Sequence, residues 1–284
     1  MKLDLHIHSK YSDGMLTPEE IIDICVKDEV SVISITDHDN INGIKPAQMA
    51  AEGKQVEVIP GVEINTVWEN IEVHVLGYYM DIENDFFLEI IGEQQKARID
   101  QAEKIIERLN SIARIKIDMS EITSQIIEGG CIGRPHIARA IYKKGAARNI
   151  QEAYIKYIND NAPTYIRRNT VSPHEAVEAI YESGGIPVIA HPRDIVNLET
   201  LVKDLMNYGL RGLEAYHKSH SPAIVEYIST IAEELDLIVT GGSDCHGPRG
   251  AIQYTLGKNL VPEWVLEELK KEKSRLDSAF YKAG

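Results

Sequence analysis

At the start of the chain, Leu3, Leu5 and Ile7 alternate with Asp4, His6 and His8. A period of two predicts a strand with one apolar face, and it sends the acid and both imidazoles to the opposite face. The period then lengthens. Thr17-Pro18-Glu19-Glu20 predicts a helix start, with threonine as cap, proline in the first turn and acids against the dipole; Ile21, Ile22, Cys25 and Val26 follow at helical spacing. Residues 32–36 form a β-branched run that predicts a second strand, ending in Asp37-His38-Asp39. A helix is expected over 43–53, and strands over 56–64 and 71–79.

The middle of the chain reads differently. Over 85–110, Phe87, Ile90, Ile91, Ala102, Ile105, Ile106 and Leu109 mark one long amphipathic helix, and helix-like patterns continue to about residue 159. Strand rhythm resumes at 186–190, 212–216 and 237–240, with helices expected over 199–208 and 222–235. Strands alternating with helices at these lengths predict an α/β fold of parallel strands with crossover helices, open or closed into a barrel. The helical block then reads as an insertion: residues 1–82 and 171–284 form the α/β unit, and 83–170 the inserted piece.

Composition narrows the function classes. Thirty Lys+Arg against 44 Asp+Glu give a net charge of −14, which argues against long duplex nucleic acid as a partner, since such binding needs cationic surface. The three cysteines, Cys25, Cys131 and Cys245, show no CxxC spacing, so a disulfide framework or thiolate zinc finger is not indicated. The start, MKLDLHIHS, is too polar for a secretory signal, and no apolar run spans a membrane; a reducing cytoplasm is the expected location.

Candidate chemistry collects where the expected strands end. His6 and His8 close the first strand and Asp13 follows it; His38 closes the second, and Glu63 the third. His74 lies within the fourth, His191 closes the strand after the insertion, and Asp244 and His246 follow the last. Parallel α/β folds gather their active sites at such strand ends. Each group alone has a plain structural reading: His-x-His is common, Asp13-Gly14 suits a turn, and His74 between valines suits a core. Together they would leave several buried polar groups without partners, at about 1–3 kcal/mol each, whereas a shared cation cluster satisfies all of them. Imidazole and carboxylate without thiolate suit manganese, iron or zinc. Cys245, between Asp244 and His246, should face away and pack. Gly241-Gly242-Ser243 is not a phosphate loop, because no GxxxxGK[ST] occurs; tight packing at a strand end explains it.

With these segments in hand, DLHIHSKYSDG, SITDHDN, PGVEIN, EVHVLGY, PVIAHP and GGSDCHG, the chain resembles the polymerase and histidinol phosphatase (PHP) family of metal-dependent phosphoesterases. The resemblance implies a distorted seven-stranded β/α barrel of PHP type, with the helical insertion covering its mouth, and a trinuclear site for three divalent ions, manganese first and iron or zinc as alternatives. By motif, His6, His8, Glu63 and Asp244 would hold one ion. Glu63 would bridge to a second ion held by His74 and His191, and Asp13, His38 and His246 would hold the third. Three such ions bring +6 against −3 from the carboxylates, so the site would attract a phosphate, and a metal-bridging hydroxide would attack phosphorus.

IGRPHIARA, the segment of Pro163-Thr164-Tyr165 with Arg168, and LEAYHKSHS resemble the subgroup of nucleoside 3′,5′-bisphosphate phosphatases, some acting also on short RNA 5′ ends. The expected substrate is therefore a small phosphorylated molecule, first a nucleoside 3′,5′-bisphosphate losing its 3′-phosphate. AMP, histidinol phosphate or a cyclic phosphate on the same fold are the alternatives, and a metal-holding module without turnover is the rival from another class. Arg134 is the leading phosphate grip, since arginine binds phosphate bidentately; its plain alternative is a surface charge at a helix start. Arg168 and Arg193 are further candidates, and of Arg167 and Arg168 only one can point inward. His217 is the candidate general acid, with Lys218, His220 and His136 as further substrate contacts.

Overall fold

The computed structural model describes residues 1–248, 254–258 and 261–283. Seven strands form one sheet in chain order: β1 (Lys2–Ile7), β2 (Val30–Ile35), β3 (Glu57–Trp68), β4 (Ile71–Tyr78), β5 (Ile186–Ile189), β6 (Gly212–His217) and β7 (Ile238–Gly242). A parallel bridge between Ile7 and Cys245, with the His8 amide donating to the Cys245 carbonyl at 2.9 Å, brings the last strand back beside the first. The sheet is a nearly closed, distorted β/α barrel of seven strands, as the resemblance implied.

Helices α1 (Pro18–Asp28) and α2 (Ile44–Ala51) follow the first two strands. The start expected at Thr17 is present: Thr17 Oγ1 accepts from the Glu20 amide and the Glu20 carboxylate accepts from the Thr17 amide. The inserted block holds α3 (Asp85–Ser111), α4 (Met119–Thr123), α5 (Arg134–Lys143), α6 (Ile150–Ala153) and a π-helical turn at Tyr154–Ile158. Then come α7 (Pro173–Glu182), α8 (Leu198–Met206), α9 (Pro222–Glu234) and α10 (Glu263–Ala283) between and after the remaining strands.

The expectation of an all-parallel sheet fails at one strand. β4 runs antiparallel to both β3 and β5. The reason is local: Glu69 and Asn70, at φ 46° and 71°, make a two-residue left-handed turn between Trp68 and Ile71, and so short a link can only reverse the chain.

Alternation in β1 decides what the barrel holds. Leu3, Leu5 and Ile7 pack into the apolar clusters between sheet and helices, while Asp4, His6 and His8 are equally buried on the other face. The insertion has an apolar cluster of its own, built on Ile105, Leu109, Ile122, Ile137, Ile141 and Ile158. Cys245 packs beside Ile7 and Cys25 as expected of it.

Candidate metal centre

The barrel's interior face gathers the ligand-type side chains at one end. Four groups of mutually close ligand atoms occur among the described residues: His8, Asp13, His38 and His246; His6, His8 and Asp244; His6, Glu63 and His191; His38, Glu63 and His74. Their union is the set of nine singled out from sequence. The partition differs from the motif-based one in detail, since His38 and His74 share a group through Glu63.

Glu63 is the hub. Its Oε1 lies 2.7 Å from His74 Nδ1 and 3.0 Å from His191 Nε2, and its Oε2 lies 3.0–3.3 Å from His38 Nδ1, His8 Nε2 and His6 Nε2. Asp244 Oδ1 is 3.2 Å from both His8 Nε2 and His246 Nδ1, and Asp13 Oδ1 is 3.3 Å from His246 Nε2. His74, mid-strand in sequence, reaches this end because β4 is reversed and sets it in register opposite Asn65, just past Glu63. His191 and Asp244 both sit at positive φ, 28° and 47°, where non-glycine residues are uncommon and side chains are re-aimed at a cost of about 1–3 kcal/mol.

Does this cluster fit cations? His6 Nε2, both ring nitrogens of His8, Asp13 Oδ1, His38 Nδ1 and Glu63 Oε2 are buried with no hydrogen bond. Such orphans are rare in folded proteins, and here they converge. His6 makes the point sharply. Its Nδ1 faces Glu214 at 2.9 Å and must donate, so on a neutral ring the Nε2 lone pair confronts Glu63 Oε2 at 3.3 Å. Only a proton or a cation relieves that. Burial disfavours a charged His8, yet the carboxylates of Asp244 and Glu63 outweigh it and push the ring up to about 10. Burial instead holds His38 down at about 4. The site therefore demands positive charge, and its oxygen and imidazole donors suit a divalent ion.

Beside the cluster lies a cavity of about 180 Å³ whose wall carries Asp13, His38 and His74 together with Arg98, Arg134 and Arg168. Arg134 opens α5, next to Pro135; its guanidinium is held by Glu72 at 2.7 Å and Asp160 at 3.0 Å, with the Tyr154 and Tyr165 rings 5.6 and 5.8 Å away. Arg168 is the inward member of its pair, 3.1 Å from Asp39, while Arg167 turns out to Asn70. At the same cluster, His217 Nε2 is 3.4 Å and Lys218 Nζ 2.9 Å from Asp244 Oδ2, and neither lines that cavity.

Three of the expected substrate contacts lie outside that cavity's lining and bond other groups. His136 is buried and caps α5, its Nδ1 accepting from the Gly133 amide, and it does not line the cavity. His220 Nδ1 donates to the Ala215 carbonyl, and Arg193 is exposed on Asp194 and the Ser219 carbonyl. Asp37 ties down the loop after β1 through Ser9 and Ser12.

Several residues of the site escaped the sequence reading. Glu214 is fully buried behind His6. Asp39 accepts from Arg98, Asn65 and Gln94 and so joins β2's end to α3. A signal existed for each: an acid among the apolar residues of β6, and a polar pair, Gln94 and Arg98, on the buried stripe of α3.

Comparison with known proteins sets this geometry in a family. The family described as PHP domain matches residues 4–169. The 5'-3' exoribonuclease Rnm of Escherichia coli K12 is 33% identical over 263 residues, 90% of this chain and 88% of that protein. The 3',5'-nucleoside bisphosphate phosphatase of Chromobacterium violaceum is 29% identical across 87% of each chain. A crystal structure from Bifidobacterium adolescentis, described as a metal-dependent phosphoesterase, matches with a TM-score of 0.86 at 31% identity and covers 94% of both chains.

Proposed function

Because the chain belongs to the PHP domain family and is a metal-dependent phosphoric ester hydrolase, we propose that it removes the 3′-phosphate of a nucleoside 3′,5′-bisphosphate. One observation carries this reading: the lining of a single cavity includes Asp13, His38 and His74 of the cluster together with Arg134 and Arg168. A reacting phosphate at the cluster leaves a second phosphate within the arginines' reach, a pairing that a bisphosphate satisfies and a monophosphate does not.

His6, His8, Asp13, His38, Glu63, His74, His191, Asp244 and His246 would hold the divalent ions, three by the family pattern, with manganese first and iron or zinc as alternatives. Bound there, they supply Lewis acidity to the phosphoryl oxygens and lower the pKa of a water. The chain's own groups do the rest. Burial and the neighbouring Arg98 depress Arg168 to about 10 although Asp39 lies 3.1 Å away; the two arginines share that one carboxylate, and a phosphate would suit the second cation. Arg134 lines the same cavity with its two terminal nitrogens on Asp160 and Glu72, and an incoming phosphate would take the place of those carboxylates. Water attacks phosphorus, the bond to the 3′-oxygen breaks, and His217, oriented by Ser219, gives that oxygen its proton. The insertion, residues 83–170, would cover the mouth; it contributes Arg134 and Tyr154 to the cavity lining.

Short RNA 5′ ends form the second reading, favoured by the Escherichia coli relative's name and its 33% identity over most of the chain. The test is a panel: nucleoside bisphosphates, AMP, cyclic nucleotides, histidinol phosphate, short 5′-phosphorylated RNA and an aryl phosphate, with manganese added. Arg134→Ala and Arg168→Ala should each raise KM for the bisphosphate about 10–100-fold, the worth of a hydrogen bond to a charged group, and leave the aryl phosphate within twofold. Equal losses on both substrates would contradict the assignment.

A further inference from the structure

Glu214 has no task in the reading above, yet it is among the most deeply buried acids in the protein, with no exposed surface. A carboxylate taken out of water costs several kcal/mol unless it is paired and hydrogen-bonded. Its two oxygens have one partner each: Oε1 accepts from His6 Nδ1 at 2.9 Å, and Oε2 accepts from the His191 backbone amide at 2.8 Å. Neither Lys nor Arg is bonded to it among the described residues. The titratable groups around it are His6, His217, His191, His220 and Tyr78.

The strand is bent to put it there. Residues 214 and 217 are three apart and in a regular strand would face opposite sides. The pairing of β6 with β7 slips by one between Glu214 and Tyr216, so that Glu214 sits opposite Thr240, Tyr216 opposite Gly241 and His217 opposite Gly242. That irregularity lets both Glu214 and His217 reach the interior, and bulges of this kind recur beside active sites.

The consequence is a clamp. His6 comes from β1 and His191 from the end of β5, and both rings reach Glu63: His6 Nε2 to Oε2 at 3.3 Å, and His191 Nε2 to Oε1 at 3.0 Å. Behind them, one carboxylate fixes the far nitrogen of one ring and the backbone of the other. His191 needs such a hold, because its φ of 28° lies outside the comfortable regions for a residue with a side chain.

We propose that Glu214 is a positioning residue that keeps the Nδ1 proton of His6 turned away from the cluster and holds His191 at its strained turn, so that the two Nε2 atoms present together to one pair of ions. The inference rests on the metal-ligand reading given above. It assigns Glu214 no contact with substrate.

The test uses Glu214→Ala and Glu214→Gln in the full chain. Proton and nitrogen NMR of histidine-labelled protein should show a protected, downfield His6 Nδ1–H in the wild type, lost in Glu214→Ala. Manganese titration should show the dissociation constant rising about 10–100-fold in Glu214→Ala, the usual effect of removing a partner behind a metal-bound imidazole. Glutamine accepts one bond but not both with its single carbonyl oxygen, so Glu214→Gln should fall between; it also carries the test if the alanine variant does not fold. A merely structural role would lower the melting temperature and leave the signal and the affinity in place. A His6 Nδ1–H signal that persists in Glu214→Ala, or a manganese affinity within twofold of wild type, overturns the proposal. Wild-type protein that takes up no manganese would instead sink the metal reading, while dependence of the His6 signal on Glu214 would still decide what Glu214 orients.

Discussion

Asp39→Asn removes one charge from the junction between barrel and insertion. Asp39 Oδ1 accepts from the Asn65 amide at 2.9 Å and Gln94 Nε2 at 3.1 Å; Oδ2 lies 2.6 Å from Arg98 Nε and 3.1 Å from Arg168. All four partners meet a carboxylate with no exposed surface. At an effective dielectric of about 20, opposite charges about 4 Å apart attract by about 4 kcal/mol. Removing one partner of a buried pair costs about 3–5 kcal/mol, because the other charge stays buried. Here two arginines would be left facing each other. Asp39 sits at φ 49°, which asparagine tolerates as well as aspartate, so backbone strain adds nothing to the loss. Urea unfolding followed by Trp68 and Trp264 fluorescence should show a midpoint lower by about 1–2 M. Acid gives an independent check. Burial works against the ionised form, but Arg98 and Arg168 hold the Asp39 carboxyl below its ordinary value. Its contribution is therefore complete above the unfolded value of about 3.9 and fades as pH falls through the lower folded value. The gap between wild type and variant should close in that window. A midpoint shift under about 0.3 M, or a gap that survives acid, would refute the reasoning.

Other outcomes follow from the same geometry. Chelating the ions from manganese-loaded protein should lower its melting temperature, since a ligand at a thousandfold its dissociation constant contributes about 4 kcal/mol; an unchanged calorimetric transition would remove the case for resident cations. A methyl group at Gly242 would overlap the His6 backbone nitrogen and Cβ, so Gly242→Ala should destabilise by about 3 kcal/mol and weaken manganese uptake, and a wild-type urea midpoint would show that β7 can shift off β1. Burial pushes the Cys25 and Cys131 thiols up to about 12, and Cys245 is equally enclosed. In the folded protein none should react with an aromatic disulfide at pH 8, whereas all three should in denaturant; rapid labelling of the native chain would contradict the packing.

Much of the architecture was legible in one dimension because its causes are local. The period of two in residues 3–8 sets which side chains share a face, and the structure keeps that division: Leu3, Leu5 and Ile7 to the helices, Asp4, His6 and His8 to the interior. Thr17 and Glu20 cap α1 for reasons contained in four residues. Ligand-type side chains at successive strand ends pointed to one cluster, and the barrel brings all nine together.

What only the tertiary structure decided depends on partners far away in sequence. The reversal of β4, not an accident of core packing, carries His74 to the cluster. His136 and His220, plausible as substrate contacts by type, each bond a backbone group through one ring nitrogen, which no pattern revealed. Glu214 finds His6 across 208 positions, and Asp39 finds Arg98 across 59. Periodicity reports which face a side chain takes, because that follows from the geometry of its own few residues. Which charge meets which is settled by chain closure over the whole barrel, where the cost of leaving any buried group unpaired selects the pairing.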